Sequence, residues 1–125
     1  MHKITVLYVD DEKANLLLFK VNFRNSFNLI TATSGQEALE VLKENPEISV
    51  VISDLRMPGM SGLELVEKAH KEFPHIQYFL FSGIEISEEV TSYIDKKILS
   101  GYFKKPLSID YILNKLSNRA GLESA

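Results

Sequence analysis

The sequence predicts an α/β domain built on a doubly wound, five-stranded parallel sheet with five helices. Short β-branched runs alternate with longer amphipathic stretches along the chain, the pattern left by βαβ units. Three of the short runs are almost continuously apolar, as strands covered on both faces are. The chain has 125 residues, 45% hydrophobic and 25% charged, which is the size and balance of one domain that buries a core without staples.

In order, the strands are expected over 4–9, 28–32, 48–53, 77–82 and 101–104. The helices between and after them are expected over 13–25, 35–44, 62–72, 88–99 and 108–118. Ser34 with Glu37 three residues on has capping-box spacing at the head of the second helix, and Asn45-Pro46 stops it. Ser87 precedes the fourth helix, and Pro106 and Ser108 stand at the head of the fifth. At about 100° per residue, Leu18, Phe19, Asn22 and Phe23 share the face of the first helix read as its core side. Leu17 and Val21 then lie opposite, with Leu16 at the flank.

A net charge of −3 supplies no clustered Lys and Arg for nucleic-acid phosphates, so no nucleic-acid partner is expected on this domain. The absence of cysteine excludes a disulfide framework and a thiolate metal site, and it fits a cytoplasmic setting. The apolar run that follows Met1 is too short for a signal-peptide core or a membrane span, so the domain is expected to start at its native end and to touch no membrane. Residues 1–120 read as the domain, and 121–125 as a tail, a linker or a cloning remnant.

In open parallel sheets, ligands bind beyond the carboxyl ends of the strands, where the strand order reverses. Four of the five predicted ends carry pointed chemistry: Asp10-Asp11-Glu12, Asp54, Ser82-Gly83 and Lys105-Pro106. Carboxylates gathered in one crevice repel unless a cation neutralises them, and oxygen ligands with open positions suit Mg²⁺. A lysine and a hydroxyl beside them supply what the oxygens of a transferring phosphoryl group need, with Asp54 as nucleophile. Taken singly the same residues have plainer readings. Asp10-Asp11-Glu12 suits a helix start, Asp54 a loop cap, and Lys104-Lys105 a solvated pair.

Together, Val9-Asp10-Asp11-Glu12, the run from Ser53 to Gly62, Phe81-Ser82-Gly83 and the run from Gly101 to Pro106 resemble the receiver domain of bacterial two-component response regulators. The resemblance covers roughly residues 3 to 119 and implies a flavodoxin-like strand order 2-1-3-4-5. It implies that Asp54 accepts a phosphoryl group from a histidine kinase or a histidine phosphotransfer protein. Asp11, Asp54 and the Arg56 backbone carbonyl would bind Mg²⁺, with Asp10 acting mainly through a coordinated water. Lys105 would pair with the phosphoryl oxygens, Ser82 would hydrogen-bond one of them, and Tyr102 would swing inward as the aromatic switch. It further implies a cis bond before Pro106, a donor-docking role for Leu16, and an output face built from the fourth helix, fifth strand and fifth helix for an output domain or a second copy. The domain would catalyse its own modification and slow hydrolysis without being a turnover enzyme. Arg56 and Ile84, which flank the path of attacking water, are neither short amides nor carboxylates, hence the slow hydrolysis.

Other classes have discriminating residues. A module that signals by binding alone would be expected to lack one of Asp11, Asp54 or Lys105. A hydrolase with an aspartyl nucleophile, of the haloacid-dehalogenase type, places an acid-base Asp where Arg56 stands. A flavin or nucleotide binder would need a phosphate-cradling loop where Asp10-Asp11-Glu12 would repel phosphate. Tyr102 also reads as edge packing. The histidines His2, His70 and His75 read as surface residues, and Met57 and Met60 as packing in the turn after Asp54.

Overall fold

The computed structural model of the chain describes residues 3–83, 87–106 and 108–119, with side chains as far as Leu116. His2, Ile84 and the tail expected over 121–125 lie outside the described residues. The elements alternate throughout: β1 (Thr5–Val9), α1 (Lys13–Phe23), β2 (Asn28–Ala32), α2 (Gly35–Glu44) and β3 (Ile48–Asp54) come first. Then follow α3 (Gly62–Glu72), β4 (Gln77–Ser82), α4 (Glu88–Asp95), β5 (Gly101–Lys104) and α5 (Ile109–Arg119). All pairings are parallel and the sheet order is β2-β1-β3-β4-β5, so the order reverses between β1 and β3.

Successive residues of a strand point to opposite faces, and each of the three central strands is divided that way. Val6, Tyr8, Val50, Ile52, Phe79 and Phe81 face one layer with Phe19 and Phe23 of α1 and Ile112 and Leu116 of α5. Leu7, Val9, Val51, Tyr78 and Leu80 face the other, with Ala38 and Leu42 of α2, Leu65, Val66 and Ala69 of α3, and Val90 of α4. This two-sided cover explains why β1, β3 and β4 are apolar without alternation.

Four local expectations change. Leu18 is 52% exposed, because the buried stripe of α1 is set by Phe19 and Phe23, four residues apart, and Leu18 turns about 100° away from it. α4 ends at Asp95 rather than running to Leu99. There Lys97 adopts φ 65°, the Lys97 N–H donates to Ile94 O at 3.0 Å, and the Ile98 N–H donates to Tyr93 O at 3.0 Å. These two bonds form a Schellman stop made without glycine. His70 is half-buried, with its ring edge-on to Tyr78 at 6.2 Å, whereas His75 is exposed as expected.

At α2 the Ser34 hydroxyl caps Glu37 N–H, but the Glu37 carboxylate turns back to Thr33 and leaves the box half made. The complete box is at α3, between Ser61 and Glu64.

Candidate functional site

The reversal in strand order brings the ends of β1 and β3 side by side, with β4 next to β3. Asp10 follows β1 directly and is fully buried, Asp11 beside it is exposed, and Asp54 ends β3 at 7% exposure. Carboxylate oxygens of these three residues lie within 4.8 Å of one another. From the loop after β5, Lys105 places Nζ 3.2 Å from Asp54 Oδ1. The backbone holds that loop in place, since the Lys105 N–H donates to Ser82 O at 2.8 Å. The Lys105–Pro106 peptide is cis.

Asp10 is buried without a cationic partner among the described residues, yet both of its oxygens are engaged. The Tyr8 hydroxyl donates to Oδ2 at 2.9 Å and the Glu12 N–H donates to Oδ1 at 3.0 Å. Burial, reinforced by the neighbouring Asp10 carboxylate, pushes the Tyr8 hydroxyl far above its ordinary range and keeps it a donor. Burial also raises the Asp54 carboxyl above its ordinary value, outweighing the opposing hydrogen bond and charge of Lys105. The Asp10 charge adds to the rise.

The main chain around Asp54 is held tightly. The Leu55 N–H donates to Phe81 O at 3.2 Å, the Ser53 hydroxyl donates to Asp54 O at 2.9 Å, and the Gly62 N–H donates to Leu55 O at 2.9 Å. A Cβ on Gly62 would overlap the Asp54 carbonyl oxygen, so only glycine permits this approach of α3 to the strand end.

The structure thus brings Asp10, Asp11, Asp54 and Lys105 together, with Ser82 buried at the end of β4. Arg56 lies exposed in the following loop, whose Met57 is buried and whose Met60 packs against the core. Tyr102 is half-buried against the layer of α2, α3 and α4. Leu16 is half-buried against the opposite layer.

Sequence reasoning assigned no role of their own to Tyr8, Phe81 and Gly62. Tyr8 stands two residues before Asp10, a spacing that puts both on one side of a strand, so a signal was present. Phe81, whose ring centroid is 5.4 Å from Lys105 Nζ, had no such signal.

Three hard-oxygen carboxylates this close favour a bound cation, because among the described residues their mutual repulsion is otherwise relieved only by Lys105 and hydrogen bonds. The acidic triad can therefore hold a metal ion. Among the described residues no helix is long and apolar enough to cross a membrane.

The sequence pattern of the response regulator receiver domain family matches residues 6–117. The two-component response regulator ORR5 of Oryza sativa subsp. japonica is 33% identical over 102 residues, covering 77% of this chain and 71% of that protein. The hydrogenase transcriptional regulatory protein HoxA of Cupriavidus necator is 30% identical over 110 residues, covering 88% of this chain and 23% of HoxA. The chain spans about a quarter of the length of the first curated relatives it matches. Among solved structures, a chain of the CheX-CheY-BeF3-Mg²⁺ complex from Borrelia burgdorferi superposes with TM-score 0.83 at 25% identity. That match covers 92% of this chain and 87% of the other. A strand order, an acidic strand-end cluster and a pattern spanning nearly the whole chain agree, and the chain belongs to the response regulator receiver domain family.

Proposed function

We propose that this domain receives a phosphoryl group on Asp54 from the phosphohistidine of a histidine kinase or histidine phosphotransfer protein, with Mg²⁺ at the acidic cluster. The observation that carries the reading is the ion pair of Lys105 Nζ with Asp54 Oδ1 at 3.2 Å beside three carboxylates gathered within 4.8 Å. An Asp54 oxygen attacks phosphorus, a P–O bond forms as the P–N bond breaks, and the electron pair stays on the donor imidazole, which takes up a proton. Lys105 then turns from Asp54 to the phosphoryl oxygens, and Ser82 hydrogen-bonds one of them. Bound Mg²⁺ supplies positive charge against both the carboxylates and the transferring group. Asp11, Asp54 and the Arg56 carbonyl would hold it, with Asp10 acting mainly through a coordinated water.

Tyr102 moves inward as Ser82 shifts, and the face of α4, β5 and α5 changes shape for an output domain or a second copy. Leu16 belongs to the surface that meets the donor. Exposed Leu17, Leu18 and Val21 on α1 support that reading, as does a small, largely apolar cavity lined by Leu18, Phe19, Lys105 and Pro106. Residues 1–120 act as the receiver unit in the cytoplasm. It is a switch and not a turnover enzyme, and its acyl phosphate hydrolyses slowly because exposed Arg56 is neither the short amide nor the carboxylate that would orient an attacking water.

The test is intact-protein mass after incubation with acetyl phosphate. One phosphoryl group should be gained with Mg²⁺ present, and none without Mg²⁺ or in Asp54→Asn. A folded sample that gains nothing would refute the reading. Loss of the label within seconds would refute slow hydrolysis alone.

A further inference from the structure

We propose that Tyr8 is a positioning residue for metal binding, orienting Asp10 so that the acidic cluster is preformed before any cation arrives. The proposal rests on the reading of that cluster as a Mg²⁺ site. Asp10 is fully buried beside two other carboxylates and has no ion pair among the described contacts. Left to itself, such a group would turn away from its neighbours toward water. Two donors prevent this, the Glu12 N–H on Oδ1 and the Tyr8 hydroxyl on Oδ2.

The Tyr8 donor is itself fixed. Its ring stacks on Phe19 of α1 with centroids 4.0 Å apart and planes 6° from parallel, and Phe81 leans on it at 6.2 Å. Tyr8 is 1% exposed, so neighbouring groups cover nearly all of its ring. An oriented donor fixes the geometry of the carboxylate it touches; loss of a direct ligand's partner weakens metal binding on the order of 10 to 100-fold, and because Asp10 acts through water the low end of that range applies. Tyr8 never touches the metal or the phosphoryl group. It acts through Asp10.

The experiment is calorimetric titration of the full chain with Mg²⁺ alone, comparing the native chain, Tyr8→Phe, Asp10→Ala and the double variant. Tyr8→Phe keeps the stacked ring and removes only the donor, and it should weaken Mg²⁺ binding about tenfold. In the Asp10→Ala background the same change should weaken binding no further, which a general structural effect would not reproduce. Equal or tighter binding by folded Tyr8→Phe overturns the proposal, as does full additivity in the double variant. A native chain that binds no Mg²⁺ overturns the metal reading as well, so the two failures are distinguishable. A second measurement needs no substitution. With tyrosine ¹³C-labelled at Cζ, the Tyr8 resonance should move on Mg²⁺ addition while exposed Tyr111 stays in place, and a stationary Tyr8 signal overturns the proposal.

Discussion

The two faces of the sheet are packed from different material. The layer under α1 and α5 is largely aromatic, with Tyr8, Phe19, Phe23, Phe27, Phe79, Phe81 and Phe103 all buried. The layer under α2, α3 and α4 is aliphatic, with Tyr78 its only buried aromatic among the described residues. Rings are broad and stiff, and a tyrosine carries a polar tip at the end of an apolar body. The aromatic layer accordingly reaches the site through side chains, with the Tyr8 hydroxyl on Asp10 and the Phe81 ring beside Lys105. The aliphatic layer reaches it through the main chain, where Gly62 at the head of α3 lies against the Asp54 carbonyl. One layer tunes the charged groups and the other sets where the strand end can be.

The largest effects should come from emptying either layer. Phe79→Ala on the aromatic side should cost about 3–5 kcal/mol and Leu65→Ala on the aliphatic side about 2–5 kcal/mol, measured by urea denaturation. Both residues are 0% exposed, so costs well below these would mean that a layer can collapse around the gap.

Gly62→Ala should cost roughly 1–3 kcal/mol by overpacking against backbone that cannot yield. It should also slow phosphorylation by acetyl phosphate, because Asp54 itself is displaced. A stable variant with native kinetics would break the claim that the aliphatic layer positions the site through the main chain.

A smaller effect follows from the Asp54 charge in Mg²⁺-free buffer. Its folded carboxyl titrates above the ordinary value, mainly through burial, so the folded chain holds more proton than the unfolded one between those two values. The stability Asp54 contributes is therefore full below the unfolded pKa and is lost as pH rises through the folded one. Asp54→Asn should flatten that fall and raise the melting temperature at neutral pH, read by thermal scans across pH in chelator. A variant that melts lower at neutral pH would show that the Lys105 pair outweighs burial.

The smallest effect lies at the end of α4, in the aliphatic layer. Lys97 occupies the left-handed region that favours glycine, so Lys97→Gly should stabilise the chain by about 0.5–1 kcal/mol. A loss would mean that its side chain contributes more than its backbone strain costs.

Much of this was legible in the sequence because it depends on local pattern. Strand and helix periods, the caps at Ser34 and Ser87 and the strand-end placement of Asp10, Asp11, Asp54 and Lys105 all appear in order along the chain. Helix ends were less legible. The stop at Asp95 is made by a lysine in a glycine conformation, which no residue preference announces. The core side of α1 was misjudged at Leu18 because periodicity supplies a face of the helix but not the point on it that meets the sheet.

By itself, then, the order of residues determined an alternating α/β chain whose reactive groups follow its strands, since side-chain period and turn chemistry act within a few residues. Only the tertiary structure decided that Phe81 lies beside Lys105 and that Gly62 abuts Asp54. Such contacts depend on sheet order, crossover packing and the loss of water on burial, none of which is written in the spacing of neighbouring residues.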